Sequence, residues 1–200
     1  MNVWEPINKG CLWLIHLAWL NSLWIIFTLL GLGLFGWAPA TTTLLSVIRK
    51  QMLTEGEIPI FQAFWQSYKR DFIKANVMGF IVVMGLSGLW LSLGTLSDLD
   101  LTIRIVMGTW FLLITCLFSI VAIFIFPVFT YFDTTIKNYF HYALLIGLSH
   151  LHYLIMIIAM LVGLYGLFNL FPGLLLFFAF SLPAQYVMYL SAKTFEKIEN

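Results

Sequence analysis

The sequence predicts an all-α fold: a polytopic transmembrane helix bundle of about five spans plus one cytoplasmic amphipathic helix, in a single integral membrane domain over residues 1–200. Three observations predict it. No Asp, Glu, Lys or Arg occurs between Lys9 and Arg49, Lys74 and Asp98, Arg104 and Asp133, or Lys137 and Lys193. A spanning helix needs about 20 mostly apolar residues, so every gap is long enough and the last has room for two. The chain is 62% hydrophobic and 10% charged, with a mean hydropathy of +0.96, whereas soluble domains carry roughly 25% charged residues. Finally, the basic residues are bunched into segments that alternate with poorly charged ones, as membrane topology requires.

The first span is expected over 11–35, closed by the cluster Gly31, Gly33 and Gly36. Ala38-Pro39-Ala40 follows an apolar run in the manner of a signal-peptidase site. That run, Cys11 to Phe35, is too long for a signal h-region, and the residues before it hold Glu5 and only one Lys. A retained span is therefore expected. Pro39 suits the first turn of a new helix running to Arg49 and Lys50. A short polar turn around Gly56 comes next, then an amphipathic helix over 59–74. There Phe61, Phe64, Trp65, Tyr68 and Phe72 recur at helical spacing, with Gln62, Gln66, Lys69, Arg70 and Lys74 over much of the remainder. Such a helix suits the headgroup plane or the inner surface of its own bundle.

Further spans are expected over 75–96, 103–131, 144–168 and 172–191. The loop after the first of these is acidic, with Asp98 and Asp100. Asp133 and Lys137 have the spacing of a local helical ion pair, and Asn169-Leu170-Phe171-Pro172-Gly173 reads as a break. Arg49, Lys50, Lys69, Arg70 and Lys74 share one segment, which assigns it and the C-terminus to the cytoplasm. With five spans the N-terminus lies outside, against the mild dissent of Lys9. If the Pro39 helix returns as a re-entrant hairpin, the N-terminus lies inside. Pro39, Thr42, Ile48 and Arg49 also recur as Pro127, Thr130, Ile136 and Lys137, a loose internal similarity of the kind transporters show.

Chemistry is sparse. Net charge is +1, so no nucleic-acid partner is expected. Cys11 and Cys116 show no CxxC spacing and read as small apolar residues. Asn21, Asn76, Asn169 and Gln185 at membrane depth read as interhelical hydrogen-bond residues. His150 and His152, two apart, fall on different faces of a helix, and His16 and His141 have no partner at ligand spacing. Trp13, Trp37, Trp65 and Trp90 fall near span ends as interfacial anchors do. No hydrolase, nucleotide-binding or zinc-protease motif occurs. No catalytic residue, cofactor or metal is expected, and the protein is expected not to be an enzyme.

Two segments carry a family resemblance. Phe35-Gly36-Trp37-Ala38-Pro39-Ala40-Thr41-Thr42, followed by Val47-Ile48-Arg49-Lys50, resembles the YesL-like family of bacterial integral membrane proteins, a domain of unknown function. So does Phe61-Gln62-Ala63-Phe64-Trp65-Gln66-Ser67-Tyr68-Lys69-Arg70-Asp71-Phe72 leading to Asn76. Trp37 stands where the family has a smaller residue. The resemblance implies a multi-pass cell-membrane protein and association with carbohydrate importers, a link of genomic neighbourhood rather than mechanism.

The functional expectation is a non-enzymatic accessory or regulatory component of a carbohydrate uptake system. Its partners would be the lipid bilayer and subunits of a sugar importer, with homo-oligomers left open. Phe61, Phe64, Trp65, Tyr68, Lys69, Arg70 and Phe72 would form the partner- or membrane-surface contact, and Gly36, Pro39 and Thr42 the motif turn. The alternative is a small transporter working alone or as an oligomer, with a site between the two Pro-marked halves.

Overall fold

A computed structural model describes residues 4–54, 58–94, 96 and 100–199. They form eight helices: α1 Trp4–Leu30, α2 Trp37–Leu53, α3 Ile60–Gly94, α4 Leu101–Tyr131, α5 Ile136–Ser149, α6 Leu151–Leu170, α7 Gly173–Phe178 and α8 Ser181–Glu199. No strand occurs among the described residues, and the fold is the all-α bundle expected. The Gly56 turn and Asp98 lie outside the described residues, as do the side chains of Glu196 and Lys197.

Four helices are long and apolar enough to cross a bilayer: Gly10–Leu30, Ile60–Ser92, Leu101–Tyr131 and Leu151–Leu170. Their outer surfaces are apolar, with Phe80, Trp90, Leu112, Ile155 and Val162 all more than 60% exposed. Water would penalise so large an apolar surface, whereas acyl chains solvate it.

Three expected segments differ. The segment 59–74 is no separate helix in the headgroup plane: it runs without a break into the span that follows, as the 35-residue α3. At 1.5 Å per residue α3 is about 52 Å long, well beyond the roughly 30 Å of hydrocarbon. Its charges, Lys69, Arg70, Asp71 and Lys74, all lie in its first half, which assigns that half to the polar side. The expected spans 144–168 and 172–191 are also interrupted. His150 (φ −126°, ψ 48°) separates α5 from α6, and a turn at Ala179–Phe180 separates α7 from α8. The break at Asn169–Gly173 falls where the sequence places it.

The segment after the first span takes the re-entrant arrangement. α2 folds back along α1, with the Trp24 indole donating to Thr41 Oγ1 at 3.1 Å and Gly36 lying against the Thr28 backbone. The connecting turn, Gly31-Leu32-Gly33-Leu34-Phe35-Gly36, has no polar side chain, and its tip residue Leu32 is 86% exposed. Every backbone N–H from Gly31 to Trp37 donates within the turn or to the end of α1. A turn that satisfies its own backbone and exposes only apolar groups is suited to hydrocarbon. Gly79, midway along α3, lies against Trp37 and Ala38, so the tip reaches the middle of α3 rather than its end. The hairpin returns the chain to the end where α1 begins, which removes the dissent of Lys9.

α2 is the packing centre. Nine of its residues are buried, including Leu44, Val47 and Ile48, and it touches α1, α3, α4 and α8. The core around it draws Leu20, Leu23 and Phe27 from α1, Phe64 and Met78 from α3, Phe124 and Ile125 from α4, and Tyr139 from α5.

Candidate functional site

Arg49, Lys50, Arg70, Asp71, Lys74 and Asp133 converge at one end of the bundle, where the C-terminal ends of α2 and α4 meet the first half of α3, while Asp100 and Arg104 lie at the other end of α4. Arg49, in the last turns of α2, donates through Nη1 to the carbonyl of Thr130. That carbonyl belongs to the last turn of α4, where helix geometry leaves acceptors unpaired and a cation is favoured. The Arg49 guanidinium also stacks 4.2 Å from the Tyr131 ring centroid, and its buried Nε has no partner among the described residues. Arg70 is held by a bidentate pair with Asp71, at 2.9 Å from Nε and 2.7 Å from Nη2.

Two adjoining cavities open here. The larger, about 670 Å³, is lined by Arg49, Lys50 and Arg70 together with Ser46, Gln66 and Ser67, and no carboxylate among the described residues lines it. The smaller, about 370 Å³, shares Arg49 and Arg70 and adds Asp71, Lys74 and Asp133. Lys74 approaches Asp133 at 3.5 Å. The expected Asp133–Lys137 pair does not form, because residues 132–135 are not helical and α5 begins only at Ile136. Lys74 of α3 takes the carboxylate instead.

The expected contact face divides into two stripes. Phe64 is fully buried and Tyr68 nearly so, with the Tyr68 hydroxyl donating to the Phe27 carbonyl at 3.0 Å. The Phe27 ring lies 4.8 Å from Phe64 and 4.9 Å from Tyr68. Phe72 is half-buried, its ring 5.4 Å from Tyr68. Phe61 and Trp65 remain 54% and 41% exposed, and Lys69 Nζ caps the Trp65 ring at 4.1 Å. Phe64, Tyr68 and Phe72 are thus packing residues, while Phe61, Trp65 and Lys69 form an outward stripe at four-residue spacing. Arg70 belongs to the cavity rather than to either stripe.

The motif-turn residues are structural. Gly36 permits the close approach to Thr28. Pro39 and Thr42 are buried, and the Thr42 hydroxyl donates to the Pro39 carbonyl at 3.0 Å. Thr130 does the same to Pro127 at 2.7 Å, so the loose repeat recurs as a local hydrogen bond. It is not repeated in architecture: Pro39 starts α2, whereas Pro127 lies near the end of α4.

Of the amides, Asn21 bridges distant segments, while Asn76 and Asn169 donate to carbonyls in their own helices, Phe72 and Tyr165. The break at His150 brings its ring to 5.9 Å from His152, with Tyr153 stacked against it, so these histidines do not sit on opposite faces of an unbroken helix. Among the described residues no three His, Cys, Asp or Glu side chains gather as a metal site would require. Sequence reasoning named Gln66, Ser67 and Thr130 but did not bring them together with Ser46 beside Arg49, because that convergence is long-range. The paired Pro-x-x-Thr segments pointed to Thr130 alone.

The bundle and its apolar surface define a multi-helix membrane protein with a cluster of basic residues at one end. Residues 17–93 match the family described as "Protein of unknown function, DUF624". The chain belongs to this family, the YesL-like family of its sequence resemblance. It is 30% identical over 198 residues to the uncharacterized protein YesL of Bacillus subtilis (strain 168), covering 99% of this chain and 93% of that protein. It is 33% identical over 204 residues to YesV of the same organism, covering 98% and 95%. With YteU, also from that strain, identity is 31% over 178 residues, covering 87% and 78%. No solved structure matches the chain.

Proposed function

We propose that the protein is a non-enzymatic, multi-pass component of the cell membrane that works by docking onto a membrane partner through the charged end of its bundle. That end and the C-terminus face the cytoplasm. The partner is a subunit of a carbohydrate importer, the class to which the family resemblance points, and the protein supports or regulates uptake. The observation that carries this reading is the Phe61–Trp65–Lys69 stripe. Two large aromatic side chains stand exposed on the half of α3 that bears its charges, and Lys69 holds the Trp65 ring in place. Aromatic residues next to a cation are the side chains that dominate docking energies.

The test is crosslinked pull-down from native membranes. Trp65→Glu or Phe61→Glu should insert at wild-type levels and lose the importer subunit, by tenfold or more in recovered partner. Phe64→Glu is unsuitable, because it places a charge in the core. If both outward variants retain every partner recovered with the wild type, the docking reading fails.

A further inference from the structure

We propose that the larger cavity at the charged end is a binding site for a phosphate group, presented by an anionic lipid headgroup or by a soluble phosphate compound. This inference does not depend on the docking reading. It rests on the lining: Arg49, Lys50 and Arg70 surround a space of about 670 Å³, and no carboxylate among the described residues stands in its wall. Asp71 offsets the charge of Arg70, but Arg49 and Lys50 form no ion pair among the described residues, and gathering like charges around a partly enclosed space is unfavourable unless an anion neutralises them. Guanidinium groups match phosphate oxygens in geometry, and hydroxyl groups complete such sites.

The donors are positioned in advance. Thr130 and Tyr131 fix Arg49, so its orientation costs little entropy when an anion binds. The pair with Asp71 occupies Nε and Nη2 of Arg70, and no hydrogen bond engages its Nη1 among the described residues. Ser46 and Ser67 line the same space, with hydroxyls able to donate. The volume lies within the range of small-molecule sites, roughly 300–1,000 Å³. The location is consistent with both sources. It is the end that the positive-inside pattern assigns to the cytoplasm, where anionic lipids concentrate and basic pockets between helices take up headgroups.

The test is native mass spectrometry of the purified full chain titrated with phosphatidylglycerol, phosphatidylcholine or inorganic phosphate. Lys50→Gln combined with Arg70→Gln removes two lining charges. Lys50→Gln alone is the safer variant, because Lys50 is exposed and its loss leaves no packing defect. Lys137→Gln combined with Lys193→Gln makes the same charge change outside the cavity. For a lipid source, phosphatidylglycerol binds at least tenfold tighter than phosphatidylcholine. The double variant loses that preference, Lys50→Gln weakens it about threefold, and the control pair keeps it. For a soluble source, inorganic phosphate binds with the same variant pattern and neither lipid is preferred. Binding of neither probe, or equal loss in the control pair, overturns the proposal.

Discussion

Replacing Gly36 with alanine is expected to open the α1–α2 hairpin. A Cβ at this position would land on the backbone of Thr28, meeting its carbonyl oxygen, carbonyl carbon and Cα. Backbone atoms cannot rotate away as a side-chain tip can. The same turn brings Gly31 against Gly36, so one methyl group separates two chain segments that touch directly. Overpacking typically costs about 1–3 kcal/mol, and a clash with backbone belongs at the top of that range or above it. The loss would extend beyond the turn, because α2 is the element against which α1, α3, α4 and α8 all pack. Thermal denaturation in detergent should show a large fall in midpoint for Gly36→Ala. Gly88→Ala, whose added Cβ meets nothing within 4 Å, should be neutral or slightly stabilising.

The second large effect is expected at Asn21, which is fully buried in α1. Its Nδ2 donates to the Leu176 carbonyl at 2.8 Å, and its Oδ1 accepts from the backbone N–H groups of Phe180 at 2.9 Å and Ser181 at 3.2 Å. These are backbone groups flanking the turn between α7 and α8. One amide therefore satisfies a broken helix in an environment without water, the condition under which irregular backbone is tolerated in membranes. Asn21→Leu would orphan all three groups. Each unsatisfied buried group costs about 1–3 kcal/mol, so a total of roughly 3 kcal/mol or more is expected. Asn169→Leu provides the contrast: Asn169 is exposed and bonds only within its own helix, to Tyr165. Its denaturation midpoint should barely move while that of Asn21→Leu collapses. Comparable shifts for the two would contradict the clamp.

The features legible in the sequence are those set by local pattern and solvent. The gap between Arg104 and Asp133 delimits α4, and the glycines from Gly31 to Gly36 mark the end of α1. Pro172 and Gly173 mark the break after α6. Other features depend on partners distant in sequence. The switch from amphipathic to apolar pattern at Lys74–Ala75 read as a boundary, yet no helix breaker stands there, and α3 continues. The break at His150 has no proline to announce it and comes from packing. Phe61, Phe64, Trp65 and Tyr68 form one broad face by spacing. The Phe27 ring on α1 lies within 6.3 Å of all four rings, and only the packing of the bundle buries Phe64 and Tyr68 while Phe61 and Trp65 stay exposed. The cavity is the least legible feature, since it joins Arg49 and Arg70 to Thr130 across three helices.

The hairpin returns the chain to the end where α1 begins, and on the proposed orientation the N-terminal part of α1 and the polar half of α3 share the cytoplasmic side. Cysteine accessibility tests it directly, in a chain whose free Cys11 and Cys116 are changed to serine. Asn8, Gln62 and Asp100 are all exposed and serve as reporters. With a membrane-impermeant reagent on intact cells, Asp100→Cys should be labelled, whereas Asn8→Cys and Gln62→Cys should react only after permeabilisation. Labelling of Asn8→Cys in intact cells while Gln62→Cys stays protected would contradict this arrangement, because it would place the start of α1 and the start of α3 on opposite sides of the membrane.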